Sequence, residues 1–356
     1  MGLASLGILA SHVVRAFDET DVIPQPKSVP HAVVVGDLVA NCAFNPRYVN
    51  ECLQDCDIVI VQHEFGIFGG PDGAEIIPVL ETLNKPSIVV LHTVLERPTP
   101  HQKFIVERVA ALAAVVVVMT AIAEGFLLGN YKVNPRKVHL IPHGVPVQPK
   151  HSRQDAVRPG TILTWGLMGP GKGIEWGIMA LALLQDSNPD LTYTVIGQTH
   201  PKVFERDGHQ YREMLARLAE ELGVDNRVVF DDRYIDLNDL GSRVRQSDII
   251  LLPYDARNQV TSGVLVEALA AKKKVIATAF PHAVELLSDG SGEVVKHESP
   301  RDIASAIERL LGQEQAQRPQ TNVEESQDDS NSWPRVAQQF LSLAEANITQ
   351  GLSRAK

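Results

Sequence analysis

The sequence predicts an α/β protein of two Rossmann-like, doubly wound domains, and three observations carry that prediction. Short, nearly continuous β-branched runs alternate with segments of helical spacing along most of the chain. Such runs suit strands buried on both faces, as in parallel sheets covered by helices. The alternation stops once, in the polar stretch QPKHSRQDAVRPG at residues 148–160, and then restarts. A chain of 356 residues with 44% hydrophobic content is long enough for two cores.

The elements follow in order. Leu3, Leu6, Ile8, Leu9, Val13, Val14 and Phe17 have the spacing of an amphipathic helix over residues 3–17. A secretory signal is not expected there, because the stretch lacks a basic start and contains His12 and Arg15. After a Pro-rich loop at 20–30, strands are expected at 31–36, 57–62, 87–92, 114–119 and 138–142, with helices at 72–83, 101–113 and 121–128. Beyond the linker the strands are 161–166, 192–197, 228–230, 248–253 and 275–278. The helices with them are 173–184, 210–222, 237–246, 263–271, 283–287 and 300–311. Residues 313–331, rich in Gln, Glu, Asp and Ser, read as a spacer. Ser332 then caps a closing helix within 332–350. The expected organisation is a first domain at 1–147, a linker at 148–160 and a second domain at 161–312. Ligands of such paired domains bind in a cleft between them.

Charge and cysteine content narrow the function. With 33 basic against 43 acidic residues the net charge is -10, so no global basic field invites a nucleic acid. Cys42, Cys52 and Cys56 show neither CxxC nor zinc-type spacing and fit free thiols in a reducing cytoplasm. No apolar run approaches the ~20 residues that span a bilayer. A cytoplasmic location is expected, while oligomeric state and peripheral contact with a membrane are left open.

Chemistry gathers at strand ends. In LLPYDARNQVTSGVLVEAL, at residues 251–269, a strand leads through a polar turn into a helix that begins at Ser262-Gly263-Val264. Free backbone N–H groups and the helix dipole favour an anion at such a start, and the ligand inferred is a diphosphate. One turn further Glu267 stands among Val264, Leu265, Val266 and Leu269, a placement that suits a carboxylate accepting from sugar hydroxyls. Gln259 lies eight positions earlier. Gly166-Leu-Met-Gly-Pro-Gly171-Lys172-Gly173 is a second phosphate-type turn, but not a Walker A loop, since Gly173 stands where Ser or Thr would hold magnesium. His92 in LHTV, His143 in IPHG and His200 in GQTHP each follow a strand, and Gln62-His63-Glu64 leads into the loop that ends at Gly69-Gly70. Each feature alone is equally an ordinary turn or a structural histidine. Their recurrence at the strand ends of one fold is what points to a ligand.

Taken together, QHEFGIFGG, LHTV, IPHGVP, WGLMGPGKG, GQTHP, LPYDARNQVTSGVLVEALA and TAFPHAVELLSDGSG resemble the retaining GT-B glycosyltransferases of family 4 (glycosyl transferases group 1), in particular bacterial mannosyltransferases. The resemblance covers nearly the whole chain. It implies two Rossmann-like domains facing a central cleft, with the C-terminal helix crossing back to the first domain. It further implies transfer of a hexose, mannose or glucose, from a GDP- or UDP-sugar to a glycan, lipid or small-molecule acceptor, with no cofactor and no metal. By the same resemblance the donor is held by Gly166, Gly171, Lys172, His200, Arg257, Gln259, Ser262, Gly263, Val264 and Glu267. Lys172 and the Ser262–Val264 turn take the diphosphate and Glu267 the ribose. His92, Lys172 and Gln259 are the expected catalytic set, and Gly2, His63, Glu64, Gly69, Gly70 and His143 face the acceptor.

Three departures from the family pattern stand out. Gln259 replaces the first Glu of E-x7-E, and an amide cannot supply negative charge beside an oxocarbenium-like centre. Leu167 stands where many members carry a phosphate-binding Arg, for which Arg257 is a substitute. Gly2-Leu3-Ala4 resembles the tail of the acceptor loop, without the strand that precedes it in the family. The sheet position of that strand is expected to be open or filled by residues 31–36. The alternatives are an epimerase or phosphorylase on the same fold, or a nucleotide-sugar-binding paralogue with impaired catalysis.

Overall fold

The structure is a computed structural model that describes residues 11–17, 32–42, 45–147, 156–233, 235–316 and 331–354. The chain divides into two compact units, Met1–Gly144 with Asp329–Lys356, and Val145–Asp328.

In the first unit, β1 (Ser11–Phe17) pairs in parallel with β2 (Ala32–Val39) as a two-stranded sheet. The helix expected over residues 3–17 is therefore corrected to a strand from Ser11 onward; residues 1–10, with Gly2, lie outside the described residues. The reason is a partner that helical periodicity cannot see. Arg15 faces Asp37 in the register and pairs with it at 2.7 Å, and β-branched residues on both strands suit a pleated surface. Helix α1 (Asn45–Cys52) was not anticipated.

Four parallel strands follow, β3 (Val59–His63), β4 (Ser87–Leu91), β5 (Val115–Val118) and β6 (Val138–Leu140), in that spatial order. Helices α2 (Ile76–Thr82), α3 (Pro100–Leu112) and α4 (Ala121–Asn130) connect them. Thr99 begins α3 with a capping box to Gln102 and Pro100 at its first turn, a start legible in TPHQ. Strands β4 and β5 are buried along their whole length, which explains their unbroken apolar runs. The outer edges of β1 and β3 have no strand partner among the described residues, and both strands line one cavity of about 880 Å³.

The closing helix α12 (Trp333–Arg354) belongs to this first unit, as expected of a C-terminal helix that crosses back. Its Val336 and Ala344 pack with Ile88, Val90, Val115, Val117 and Ile141. Its first residue, Trp333, lies against Gly144 and tilts at 58° to the His143 ring, 5.4 Å between centres.

The second unit is a single six-stranded parallel sheet. Its strands are β7 (Thr161–Trp165), β8 (Thr192–Ile196), β9 (Val228–Asp231), β10 (Ile249–Leu252), β11 (Lys274–Thr278) and β12 (Gly292–Val295), in the order β12-β11-β10-β7-β8-β9. One face carries α5 (Ile174–Leu183), α7 (Gln210–Glu221) and α11 (Pro300–Ala316), around Ile178, Leu181, Tyr193, Leu215, Ile303 and Ile307. The other carries α8 (Leu237–Gln246), α9 (Gly263–Ala270) and α10 (Pro281–Leu286), around Leu163, Ile250, Leu252, Leu265 and Phe280. A short helix, α6 (Pro201–Asp207), follows β8. Both α6 and β12 escaped the sequence reading, each being short and preceded by turn residues.

The chain moves outward from β7 to β9 and then returns to the other side of β7. The carboxyl ends of β7 and β10 therefore flank the switch point at which connections diverge, where doubly wound sheets bind ligands.

At the Gly144–Trp333 contact, a Cβ on residue 144 would run into the indole. Gly144→Ala is expected to destabilise the protein by about 1–3 kcal/mol, the usual scale for overpacking. Urea unfolding checks this, and most of the penalty should vanish in a Trp333→Leu background, where the ring that blocks the methyl is gone.

Candidate functional site

At the β7–β10 switch point, two loops are fastened to each other. The Asp255 N–H donates to the Gly171 carbonyl at 3.0 Å, and the Trp176 indole N–H reaches both Asp255 carboxylate oxygens at 3.0 and 3.1 Å. Gly173 adopts φ 62 and lies so close to the Pro253 carbonyl oxygen that any Cβ would collide with it. Across the same loops, a Cβ on Gly166 would stand 4.0 Å from Val264.

This fastening places Lys172. Its ammonium sits 4.4 Å from the centre of the Tyr254 ring, a cation–π contact, and among the described residues no carboxylate pairs with it. Burial lowers its pKa below the ordinary lysine value. Tyr254 is itself buried, stacks on Phe280 at 5.5 Å, and has a hydroxyl without a partner among the described residues.

The start of α9 completes the cationic side. Ser262 Oγ accepts from the Leu265 N–H at 3.3 Å, and the Ser262 carbonyl accepts from the Val266 N–H at 3.3 Å. The Ser262 N–H, expected to face the diphosphate, instead donates to His282 Nδ1 at 2.7 Å. That leaves the N–H groups of Gly263 and Val264 without an acceptor among the described residues, as first-turn amides must be unless a ligand meets them. Glu267, one turn on, accepts from Trp165, and burial raises its pKa.

The other residues expected on the donor side are held by their own surroundings. Gln259 turns its amide onto the Thr261 carbonyl at 3.1 Å. Arg257 is exposed and pairs with Glu298 at 3.0 Å, so in this structure it does not stand in for the arginine missing at Leu167, which is exposed as well. His200 caps α6, its Nδ1 accepting from the Lys202 N–H at 3.2 Å.

In the first unit the strand-end histidines gather. His92 Nε2 donates to Gln62 Oε1 at 2.7 Å. Thr93 Oγ1 donates to Glu64 Oε2 at 2.6 Å, and Glu64 Oε1 accepts from the Phe65 N–H at 3.0 Å. His143 Nδ1 donates to the Gly144 carbonyl at 2.7 Å. Burial lowers the pKa of both His92 and His143, and their mutual proximity lowers that of His92 further against the opposing pull of Glu64. His63 is wholly buried, packed edge-on to Phe65 at 5.6 Å and beside Phe68, so the ring expected to face an acceptor is inside the core. Gly69 and Gly70 wrap the carboxylate of Glu75, which accepts from the Asn41 N–H at 2.9 and 3.0 Å.

Sequence reading missed Tyr254, Asp255, Trp176, Trp165, Thr93 and His282. All but Trp176 lie inside the motifs quoted above, Trp165 in WGLMGPGKG, Tyr254 and Asp255 in LPYDARNQVTSGVLVEALA, Thr93 in LHTV and His282 in TAFPHAVELLSDGSG, but sequence reading assigns them no role. Their partners, such as Asp255 for Trp176 and Ser262 for His282, are set by the fold.

Residues 159–313 match the family model described as Glycosyl transferases group 1. No curated protein matches the chain. Among solved structures, a glycosyltransferase from Rickettsia africae is similar with a TM-score of 0.65 and 17% identity, covering 88% of this chain and 85% of that one. The Anabaena Alr3699/HepE complex with UDP has a TM-score of 0.61 at 15% identity, over 90% of this chain and 85% of the other. Sucrose-phosphate synthase from Thermosynechococcus elongatus has 0.63 at 15% identity, over 99% and 90%. The fold is GT-B.

Burial holds the His63 pKa down at about 4, against an ordinary 6.5. Between those values the unfolded chain takes up a proton that the folded chain refuses. The contribution of this residue is thus whole above pH 6.5 and lost as pH falls toward 4, about 3 kcal/mol in all. Urea midpoints measured from pH 7 to pH 4 should fall steadily, and His63→Leu should flatten that slope. An unchanged slope in the variant would assign the acid sensitivity elsewhere.

Proposed function

We propose that this chain is a GT-B glycosyltransferase of family 4 that moves a hexose, mannose or glucose, from a GDP- or UDP-sugar to a glycan, lipid or small-molecule acceptor with retention of configuration. The observation that carries the reading is that the loops of one switch point hold a half-buried Lys172 with no carboxylate partner among the described residues, and the N–H groups of Gly263 and Val264, which have no acceptor among them. Three donors of positive character with no acceptor among the described residues call for an anion of more than one oxygen, and a diphosphate provides it. The family-model match over residues 159–313 lies on this unit, and the HepE structures, which hold UDP and, in one, UDP-glucose, support a nucleoside diphosphate as its natural form.

In the proposed reaction the bond between the anomeric carbon and the β-phosphate oxygen breaks, and negative charge grows on the departing diphosphate. Lys172 and the two amides are aimed at that charge before it appears, the arrangement that lowers a barrier most effectively. Glu267, held by Trp165, accepts from the ribose hydroxyls. The acceptor hydroxyl bonds to the anomeric carbon on the face the diphosphate leaves and passes its proton to the leaving phosphate oxygen. Resemblance assigns the sugar to His92, whose depressed pKa keeps the imidazole neutral as a hydrogen-bond partner. Gln259 is an orienting amide rather than a charged group. No metal is assigned a part. The acceptor is assigned to the first unit by the same resemblance, through Glu64 and His143.

A panel of UDP- and GDP-hexoses, assayed for release of the nucleoside diphosphate with and without acceptor, tests the reading. Transfer requires both substrates. Donor turnover without acceptor would mark an epimerase, and saturable binding with no turnover would mark a binding protein. Lys172→Ala should lower the transfer rate by about 10²–10³. Glu267→Gln should weaken nucleotide binding by about 1.5–3 kcal/mol in calorimetry while leaving the melting temperature nearly unchanged; equal binding by both forms would remove Glu267 from the ribose.

A further inference from the structure

The segment Phe280-Pro281-His282, at the start of α10, touches Tyr254 beneath Lys172 and the loop before α9. Phe280 is fully buried and stacks on Tyr254, the ring beneath the Lys172 ammonium. His282 is buried and grips the loop before α9 at two points. Its Nδ1 accepts from the Ser262 N–H at 2.7 Å, and its backbone N–H donates to the Gln259 carbonyl at 3.2 Å.

The first of those bonds has a chemical consequence. An imidazole nitrogen that accepts carries no proton, so the ring is held as the Nε2–H form on this side. The Ser262 amide is removed from the set that can meet a ligand. With the Leu265 and Val266 amides taken by Ser262 itself, the anion is left with two adjacent donors, Gly263 and Val264. Without the imidazole, the Ser262 N–H would lose its acceptor, and the loop would lose the bond that fixes its entry into α9.

We propose that His282 is a positioning residue for the diphosphate: it withholds the Ser262 amide and locks the Gln259–Ser262 loop, so that Gly263 and Val264 present a pre-formed two-amide cradle beside Lys172. The inference rests on the donor-site reading above. A donor loop ordered before binding loses less entropy on binding, so the effect belongs to the phosphates and not to the nucleoside.

The test compares His282→Leu, which keeps bulk and removes the acceptor, with His282→Asn, whose Oδ1 can accept from the same N–H. Each full-length variant is titrated with UDP and GDP and with uridine and guanosine, and melting is followed in parallel. His282→Leu should bind the diphosphates about tenfold more weakly, the scale of one hydrogen bond to a charged group, with nucleoside affinity unchanged. His282→Asn should stay within about twofold of the original protein. Equal weakening for nucleoside and diphosphate, or unchanged diphosphate affinity in His282→Leu, overturns the positioning role. If the unsubstituted protein itself binds UDP and GDP no better than the nucleosides, the donor-site reading fails first and the inference falls with it. Should His282→Leu not fold, nitrogen-15 spectra of the unsubstituted protein decide: a His282 ring protonated at Nε2 alone supports the lock, and a ring carrying a proton on Nδ1 overturns it.

Discussion

The second unit depends on the backbone-to-backbone fastening of the two loops at the β7–β10 switch point. Sheet topology brings the ends of these strands together, but topology alone leaves two independent turns. The Asp255 N–H to Gly171 carbonyl bond, the Trp176–Asp255 pair and the absence of a side chain at Gly173 under the Pro253 carbonyl make them one body. A left-handed conformation at a position with no room for Cβ is a constraint only glycine meets. That body places Lys172 over Tyr254.

Electrostatically the assembled site is one-sided. Moving an ammonium out of water is unfavourable unless something compensates, and Tyr254 offers only the face of an aromatic ring, worth about 0.5–2 kcal/mol. The same holds on a smaller scale for the first-turn amides of α9. In the reading proposed above, a bound diphosphate would satisfy all of them together and so tie ligand occupancy to the stability of the loops that bind it. The first unit uses the opposite device. Burial depresses the pKa values of His92 and His143, and the polar groups offered there are their imidazoles, the Gln62 amide and the Thr93–Glu64 pair.

The N-terminal stretch shows how a local pattern can mislead. Residues 11–17 carry apolar positions compatible with a helix, yet Val13, Val14 and Phe17 are equally content on a pleated strand, and the ion pair of Arg15 with Asp37 is available only in the strand pairing. Helical spacing is computed within a segment. Strand pairing is decided by a partner more than twenty residues away. The two readings cannot be separated until that partner is known.

What the sequence by itself determined was whatever is written in contiguous residues. The alternation of β-branched runs with helical segments gave the α/β class because a strand buried on both faces must be apolar throughout, as Val115–Val118 and Ile249–Leu252 are. The turn at Gly166–Gly173 and the helix start at Ser262-Gly263 were legible because phosphate-type loops need glycine and a capping hydroxyl at fixed offsets. Tertiary structure alone decided which donors remain open. Whether Ser262 offers its amide depends on His282, twenty residues downstream; whether Arg257 is engaged depends on Glu298; whether His63 meets solvent depends on Phe65 and Phe68 closing over it. A hydrogen-bonding group has a fixed chemistry but no fixed partner, and the partner is chosen by proximity, which local sequence does not encode.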